Sequence, residues 1–126
     1  MKYRYATALN CIDGRTQIPV TEWIINHVGV DFVDLITEPG MDRVLSHGSW
    51  HEIDKIRRNA IVSIDAHNSH VIAVVGHYDC AANPVSDFQH LDDINNSVQT
   101  VKSWCLPVEV IGLFVDAQWR VHVIPN

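Results

Sequence analysis

The sequence has no apolar run approaching the ~18 residues of a membrane-spanning helix, which argues against a membrane as its setting. It is also short of positive charge. Nine lysines and arginines stand against fifteen aspartates and glutamates, a net charge of −6. An acidic surface repels phosphate backbones, so nucleic acid is not expected as a partner. Glycine is sparse, with six in the chain, and none is gathered into a phosphate-cradling loop. There is no Ser-His-Asp arrangement, basic patch, internal repeat or low-complexity tract. Cysteine is limited to Cys11, Cys80 and Cys105, an odd and widely spaced set that excludes a disulfide framework. The short apolar stretch Ala6 to Leu9 is too brief for a signal peptide and reads as a strand, which favours the cytoplasm.

What is present suits one soluble domain over residues 1–126, with 47% hydrophobic and 19% charged residues. Strands are expected at Tyr5 to Asn10, Asp31 to Thr37, Val71 to Gly76, Val108 to Val115 and Trp119 to Ile124. A first helix is expected over Pro19 to Val28, with proline near its start and Gly29 at its end. A second follows the capping-box spacing Ser49 to Glu52 and turns Ile53, Ile56, Ala60, Ile61 and Ile64 inward. A third follows Ser86 to Gln89 and turns Phe88, Leu91, Ile94, Val98 and Val101 inward. The order βαβαβαββ implies an α/β fold with a mostly parallel sheet of about five strands and helices on both faces. Its expected strand order is 2-1-3-4-5, the last strand antiparallel because only Asp116, Ala117 and Gln118 separate it from its predecessor. Strands one and three then flank a topological switch point, where open α/β sheets bind ligands.

Cys11-Ile12-Asp13-Gly14-Arg15 follows strand one and His77-Tyr78-Asp79-Cys80 follows strand three, so both segments arrive at that crevice. Two thiolates and an imidazole are good zinc ligands, and a catalytic site leaves the fourth position open. Cys11, His77 and Cys80 are therefore the candidate metal ligands. Read without their context, the three cysteines are equally three small buried hydrophobes, and Asp13 with Arg15 is a surface ion pair of little energetic value.

The pair of motifs CxDxR and HxxC, here CIDGR and HYDC, resembles the β-class carbonic anhydrases, as does the run VIAVVGHYDCAANP. The resemblance implies Zn²⁺ on Cys11, His77 and Cys80 and a catalytic dyad of Asp13 and Arg15. It implies reversible hydration of carbon dioxide to bicarbonate by a zinc-bound hydroxide, and a homodimer or higher homo-oligomer. In such proteins the aspartate either pairs with the arginine and orients the zinc-bound water, or swings in as a fourth ligand. The chain departs from the family in having Ala81 where glycine is common, and Thr37-Glu38-Pro39-Gly40-Met41-Asp42 in place of an Asn-Ala-Gly-like run. It also reaches strand one almost at once, without the family's helical arm. Two further readings stand beside the first: hydrolysis of another small electrophile such as carbon disulfide or carbonyl sulfide, and a non-catalytic domain stapled by zinc through Asp13. His47, His51, His67 and His70 read as solvated, Cys105 as a buried thiol, Tyr78 as packing or pocket lining, and the four tryptophans as core or interface.

Overall fold

The computed structural model describes residues 3–125. Its elements are β1 (Tyr5–Cys11), α1 (Gly14–Val28), β2 (Phe32–Glu38), α2 (Met41–His47), α3 (Trp50–His67), β3 (Val71–His77), α4 (Asp87–Lys102), β4 (Glu109–Val115) and β5 (Val121–Ile124). The five strands lie in the order β2-β1-β3-β4-β5. The β1–β2, β1–β3 and β3–β4 pairs are parallel and β4–β5 is antiparallel, as the strand and helix pattern predicts.

Side-chain alternation along the central strands builds two cores. Leu9, Ile72, Val74 and Phe114 face α2, α3 and α4, where they meet Met41, Leu45, Ile56, Ile94 and Val98. Ala6, Ala8, Ala73, Val75, Leu113 and Val115 face α1, where they meet Val20 and Ile24. Fully burying one Leu, Ile or Val contributes about 1.5–3 kcal/mol, so both faces of β1 and β3 are anchored. The ends of these two strands are correspondingly fixed.

Several elements depart from the sequence expectation. Helix α1 begins at Gly14 and keeps Pro19 inside it. The cause is local: the Asp13 side chain accepts the Arg15 N–H at 3.0 Å, capping the helix six residues before the proline. Proline then removes one backbone bond without ending the helix. Helix α2 adds to the three helices that the sequence pattern predicts: Gly40, at φ 63°, turns the chain into seven helical residues that bury Met41, Val44 and Leu45. Strand β5 starts only at Val121, because Trp119 sits in the turn at φ 61°. Ser49 and Glu52 form a complete capping box. Ser86 makes only half of one, since the Gln89 amide reaches Asp93 instead. Phe88 is 78% exposed rather than inward, and α4 instead buries His90, Asp93 and Ser97 among its apolar residues. Cys105 is exposed and Trp50 lies on the surface.

Helix α4 approaches the sheet closely over Gly112. A methyl group there would lie 2.8 Å from Ile94 Cγ2 and 3.3 Å from Val98 Cγ2. Both neighbours are branched and buried, so neither can move aside cheaply. Gly112→Ala is expected to destabilise the protein by about 1–3 kcal/mol, the usual cost of overpacking. Denaturant unfolding checks this; a variant as stable as wild type would show that α4 is not held this close.

Candidate metal centre

The parallel pairing of β1 with β3 brings the two motif segments together. Cys11 ends β1 and His77 ends β3. Beyond His77 the Tyr78 N–H bonds the Val115 carbonyl at 2.8 Å, extending the ladder by one residue. Asp79 then takes a left-handed conformation at φ 57°. That turn folds the chain back so that Cys80 returns beside His77. The sulfurs of Cys11 and Cys80 are 3.9 Å apart. One ligand atom from each of Cys11, His77 and Cys80 lies within 4.8 Å of the others, and all three residues are buried. Among the described residues this is the one such group of histidine, cysteine and carboxylate side chains.

The donor set suits a thiophilic divalent metal. His77 Nδ1 lies 2.7 Å from the Tyr78 carbonyl, so it carries the proton and donates it. Nε2 is thereby left as a bare lone pair, and this buried atom has no partner in the protein. A neutral imidazole with its other nitrogen anchored on a carbonyl is the form metals bind. The Cys11 sulfur is prepared in the same way. The Gly40 N–H points at Cys11 Sγ from 3.5 Å. The two thiols lie within hydrogen-bond reach of each other. The bond to Cys80 holds the Cys11 thiol below its ordinary range, against burial, with help from His77 and the Asp13 and Gly40 amides. Cys80 is pushed up, first by that same bond to Cys11 and then by burial. Burial pulls His77 down, but the nearby Cys11 sulfur, the bond to the Tyr78 carbonyl and the Asp13 charge outweigh this and raise it. Two thiolates and a neutral histidine would cancel the charge of a divalent cation, so the buried site fits zinc electrostatically.

Asp13 and Arg15 stand at the edge of this group. Arg15 Nη2 is 2.7 Å from Asp13 Oδ2, and Nε lies 3.1 and 3.2 Å from the two carboxylate oxygens. The same guanidinium reaches Asp79 Oδ2 at 3.3 Å and the Asp79 carbonyl at 3.1 Å. Its carbon lies 4.7 Å from the centre of the Trp119 ring. The pairing with Arg15 holds the Asp13 carboxyl at about 2, against a small opposing effect of burial. Asp13 is therefore ionised, turned toward Arg15, and outside the close group of Cys11, His77 and Cys80. The partners of Arg15 on the far side, Asp79 and Trp119, had no signal in the sequence. Neither did a cluster behind the sulfur-facing turns, where Asp42, Asn83, His90 and Asp93 are all buried and joined by hydrogen bonds. These four are scattered over α2, a loop and α4 with no motif spacing, so only the folded chain assembles them. The solvated reading of the other histidines is incomplete: His47 pairs with Asp93 and His67 with Asp34.

Comparison with known proteins agrees with this architecture. A β-carbonic anhydrase isoform I from Trichomonas vaginalis superposes with a TM-score of 0.66 at 19% identity, over 100% of this chain and 86% of the other. A carbonic anhydrase from Glaciozyma antarctica superposes with a TM-score of 0.64 at 12% identity, over 94% of this chain and 81% of the other. At these identities the likeness is one of fold. No curated protein matches the sequence. The model of the family described as "Putative carbonic anhydrase" matches residues 1–125. By that match, which spans almost every residue of the sheet and both motif segments, the chain belongs to the carbonic anhydrase family.

Proposed function

We propose that the protein is a zinc-dependent carbonic anhydrase, a lyase that hydrates carbon dioxide reversibly to bicarbonate. The observation that carries this reading is the buried meeting of Cys11, His77 and Cys80 beside an Asp13 that Arg15 holds aside. Cys11, His77 and Cys80 hold the metal. When bound, zinc supplies Lewis acidity that lowers the pKa of a coordinated water, so that hydroxide is available near neutral pH. Asp13 and Arg15 are the catalytic dyad. Asp13, ionised, accepts a hydrogen bond from the attacking hydroxyl group and directs its free electron pairs toward the carbon of carbon dioxide. Arg15 keeps Asp13 charged and keeps it from closing on the metal. Four restraints on one guanidinium, from the Asp13 carboxylate, the Asp79 carboxylate, the Asp79 carbonyl and the Trp119 ring, favour this open arrangement over a zinc staple closed by Asp13.

The working form is proposed to be a cytoplasmic homodimer. No helix among the described residues is long and apolar enough to cross a membrane. Strand β2 is an edge of the sheet, and Phe32, Leu35 and the neighbouring Ile18 of α1 are exposed along it. An apolar sheet edge is commonly covered, here by a second copy. Sedimentation at micromolar concentration is expected to show a dimer that Leu35→Lys dissociates; a monomeric wild type contradicts the assignment.

The metal assignment predicts about one zinc per chain in the purified protein. Cys11→Ser and Cys80→Ser should each lose it, as elemental analysis will show, and full retention in both would overturn the site. The dyad assignment makes a separate prediction. Arg15→Ala frees Asp13, and Asp13→Asn removes the charged acceptor while keeping its shape. Both should retain zinc and lose ~10²-fold or more in hydration rate, the usual effect of losing one well-placed orienting group. Stopped-flow assays from neutral to alkaline pH decide. Variants as fast as wild type refute the dyad. A zinc-loaded wild type with no activity at any pH refutes the carbonic anhydrase reading, and hydrolysis of carbon disulfide or carbonyl sulfide then becomes the assay of choice.

A further inference from the structure

Behind the two sulfurs, on the α4 side of the sheet, lies a polar cluster that the proposed chemistry does not use. Asp42, Asn83, His90, Asp93 and Ser97 are each at most 4% exposed. Burying two carboxylates next to an otherwise apolar core is costly unless every charge finds a donor. Apolar residues of similar size would pack α4 onto the sheet as well or better. The position of the cluster suggests what it does instead.

Each member grips one of the two turns that lie beside the sulfurs. Gly40, whose N–H points at Cys11 Sγ, lies two residues before Asp42. Ala82 and Asn83 form the turn after Cys80, whose sulfur lies 3.9 Å from that of Cys11. The two turns touch: a methyl group on Gly40 would lie 3.1 Å from the Ala82 side chain and 3.2 Å from its carbonyl. The Asn83 amide crosses from one turn to the other. Its nitrogen donates to Asp42 Oδ1 at 3.1 Å and to Asp93 Oδ2 at 3.0 Å, using both of its protons. Asp42 is held in turn from α4. Its Oδ2 accepts from His90 Nδ1 at 2.6 Å, and its carbonyl accepts from Ser97 Oγ at 3.0 Å. Asp93 accepts from Gln89 and faces His47, which closes the cluster toward solvent.

We propose that Asn83 is a positioning residue for the metal centre: its side-chain amide braces the Gly40–Asp42 turn against the Cys80–Asn83 turn, and so aims the Gly40 N–H at Cys11 Sγ and fixes Cys80 beside it. This rests on the reading that Cys11 and Cys80 hold the metal. A thiolate that receives a well-aimed hydrogen bond gives less electron density to the metal, so the brace sets both metal affinity and Lewis acidity. The brace needs the two N–H protons of one short amide. An Asn83→Ala side chain supplies neither and leaves Asp42 and Asp93 each short of a donor.

The test compares Asn83→Ala with Ser63→Ala, each against wild type. Ser63 belongs to a different buried polar cluster, with Thr7, Ser69 and Asp34, and serves as the control for lost hydrogen bonds alone. Zinc affinity is read by competition with a chelating dye, and the sulfur environment by the thiolate-to-metal charge-transfer bands of the cobalt(II) protein. Asn83→Ala is expected to lose about 10- to 100-fold in zinc affinity, the usual effect of removing a group that supports metal ligands, and to shift the cobalt bands. Ser63→Ala is expected to change neither. Should Asn83→Ala fail to fold by circular dichroism, Asp93→Asn takes its place, with a smaller loss and a band shift in the same direction. Wild-type bands in the folded variant, wild-type affinity, or an equal loss in Ser63→Ala overturns the brace while leaving the metal assignment standing. A wild-type protein that takes up neither zinc nor cobalt overturns both.

Discussion

The parallel pairing of β1 with β3 is the constraint on which the rest of this molecule depends. Thr7, Ala8 and Leu9 lie in register with Ile72, Ala73 and Val74. Both strands are buried on both faces, so their relative position is not adjustable. From that register, Cys11 and His77 leave the sheet at the same end and on the same side of the switch point. The left-handed turn at Asp79 then returns Cys80 to within 3.9 Å of Cys11. None of these groups lies on a long flexible loop. Functional groups placed directly on strand ends inherit the precision of the core beneath them.

The same geometry sets the charge balance. A buried pair of thiols beside a bare imidazole nitrogen is an unfavourable way to finish a sheet, because each polar atom is taken from water without full compensation. The hydrogen bond between the sulfurs and the one from the Gly40 N–H relieve part of that cost. A divalent cation would relieve it further, since two thiolates would neutralise its charge and the imidazole lone pair would gain a partner. Metal binding and the stability of this end of the sheet are therefore coupled. The Asp13 carboxylate is kept out of that balance by Arg15, whose guanidinium is flanked by a carboxylate on each side and lies over the Trp119 ring.

The sequence foretold much of this because the two central strands and their ends carry strong signals. Val71 to Gly76 is nearly all apolar, so a doubly buried strand was legible, and motif residues at its end had only one place to go. Chain order, with the first two helices expected on opposite faces of the sheet, supplied the 2-1-3-4-5 arrangement. Helix α2 was hidden because seven residues between a Pro-Gly pair and a glycine carry too few turns for a periodic signal. The start of α1 was misplaced because Pro19 outweighed the quieter cap at Asp13. Phe88 was assigned inward by hydrophobicity, yet His90 and Asp93 occupy the buried face of the first turns of α4. Polar residues on that face break the apolar stripe that helix reading relies upon. Interactions between Asn83 and two aspartates far away in the chain leave no local pattern at all.

That failure of the helix pattern has a physical cause. A sequence shaped for stability alone would place apolar side chains where α4 meets the turn after Cys80. Polar groups there weaken the generic driving force for folding but impose direction, since a hydrogen bond constrains angle as well as distance. The region that departs from the stability optimum lies against both sulfur-bearing turns, whereas the α1 face of the same sheet is packed with valine, alanine and isoleucine. Asp42 shows the trade most clearly: an ionisable side chain, 1% exposed, sits where a methyl group on Gly76 would come within 2.8 Å of it. The glycine in β3 makes the room that this carboxylate occupies. Strand, turn and helix thus each yield something at this corner, and what they hold in place is the pair of turns beneath the sulfurs.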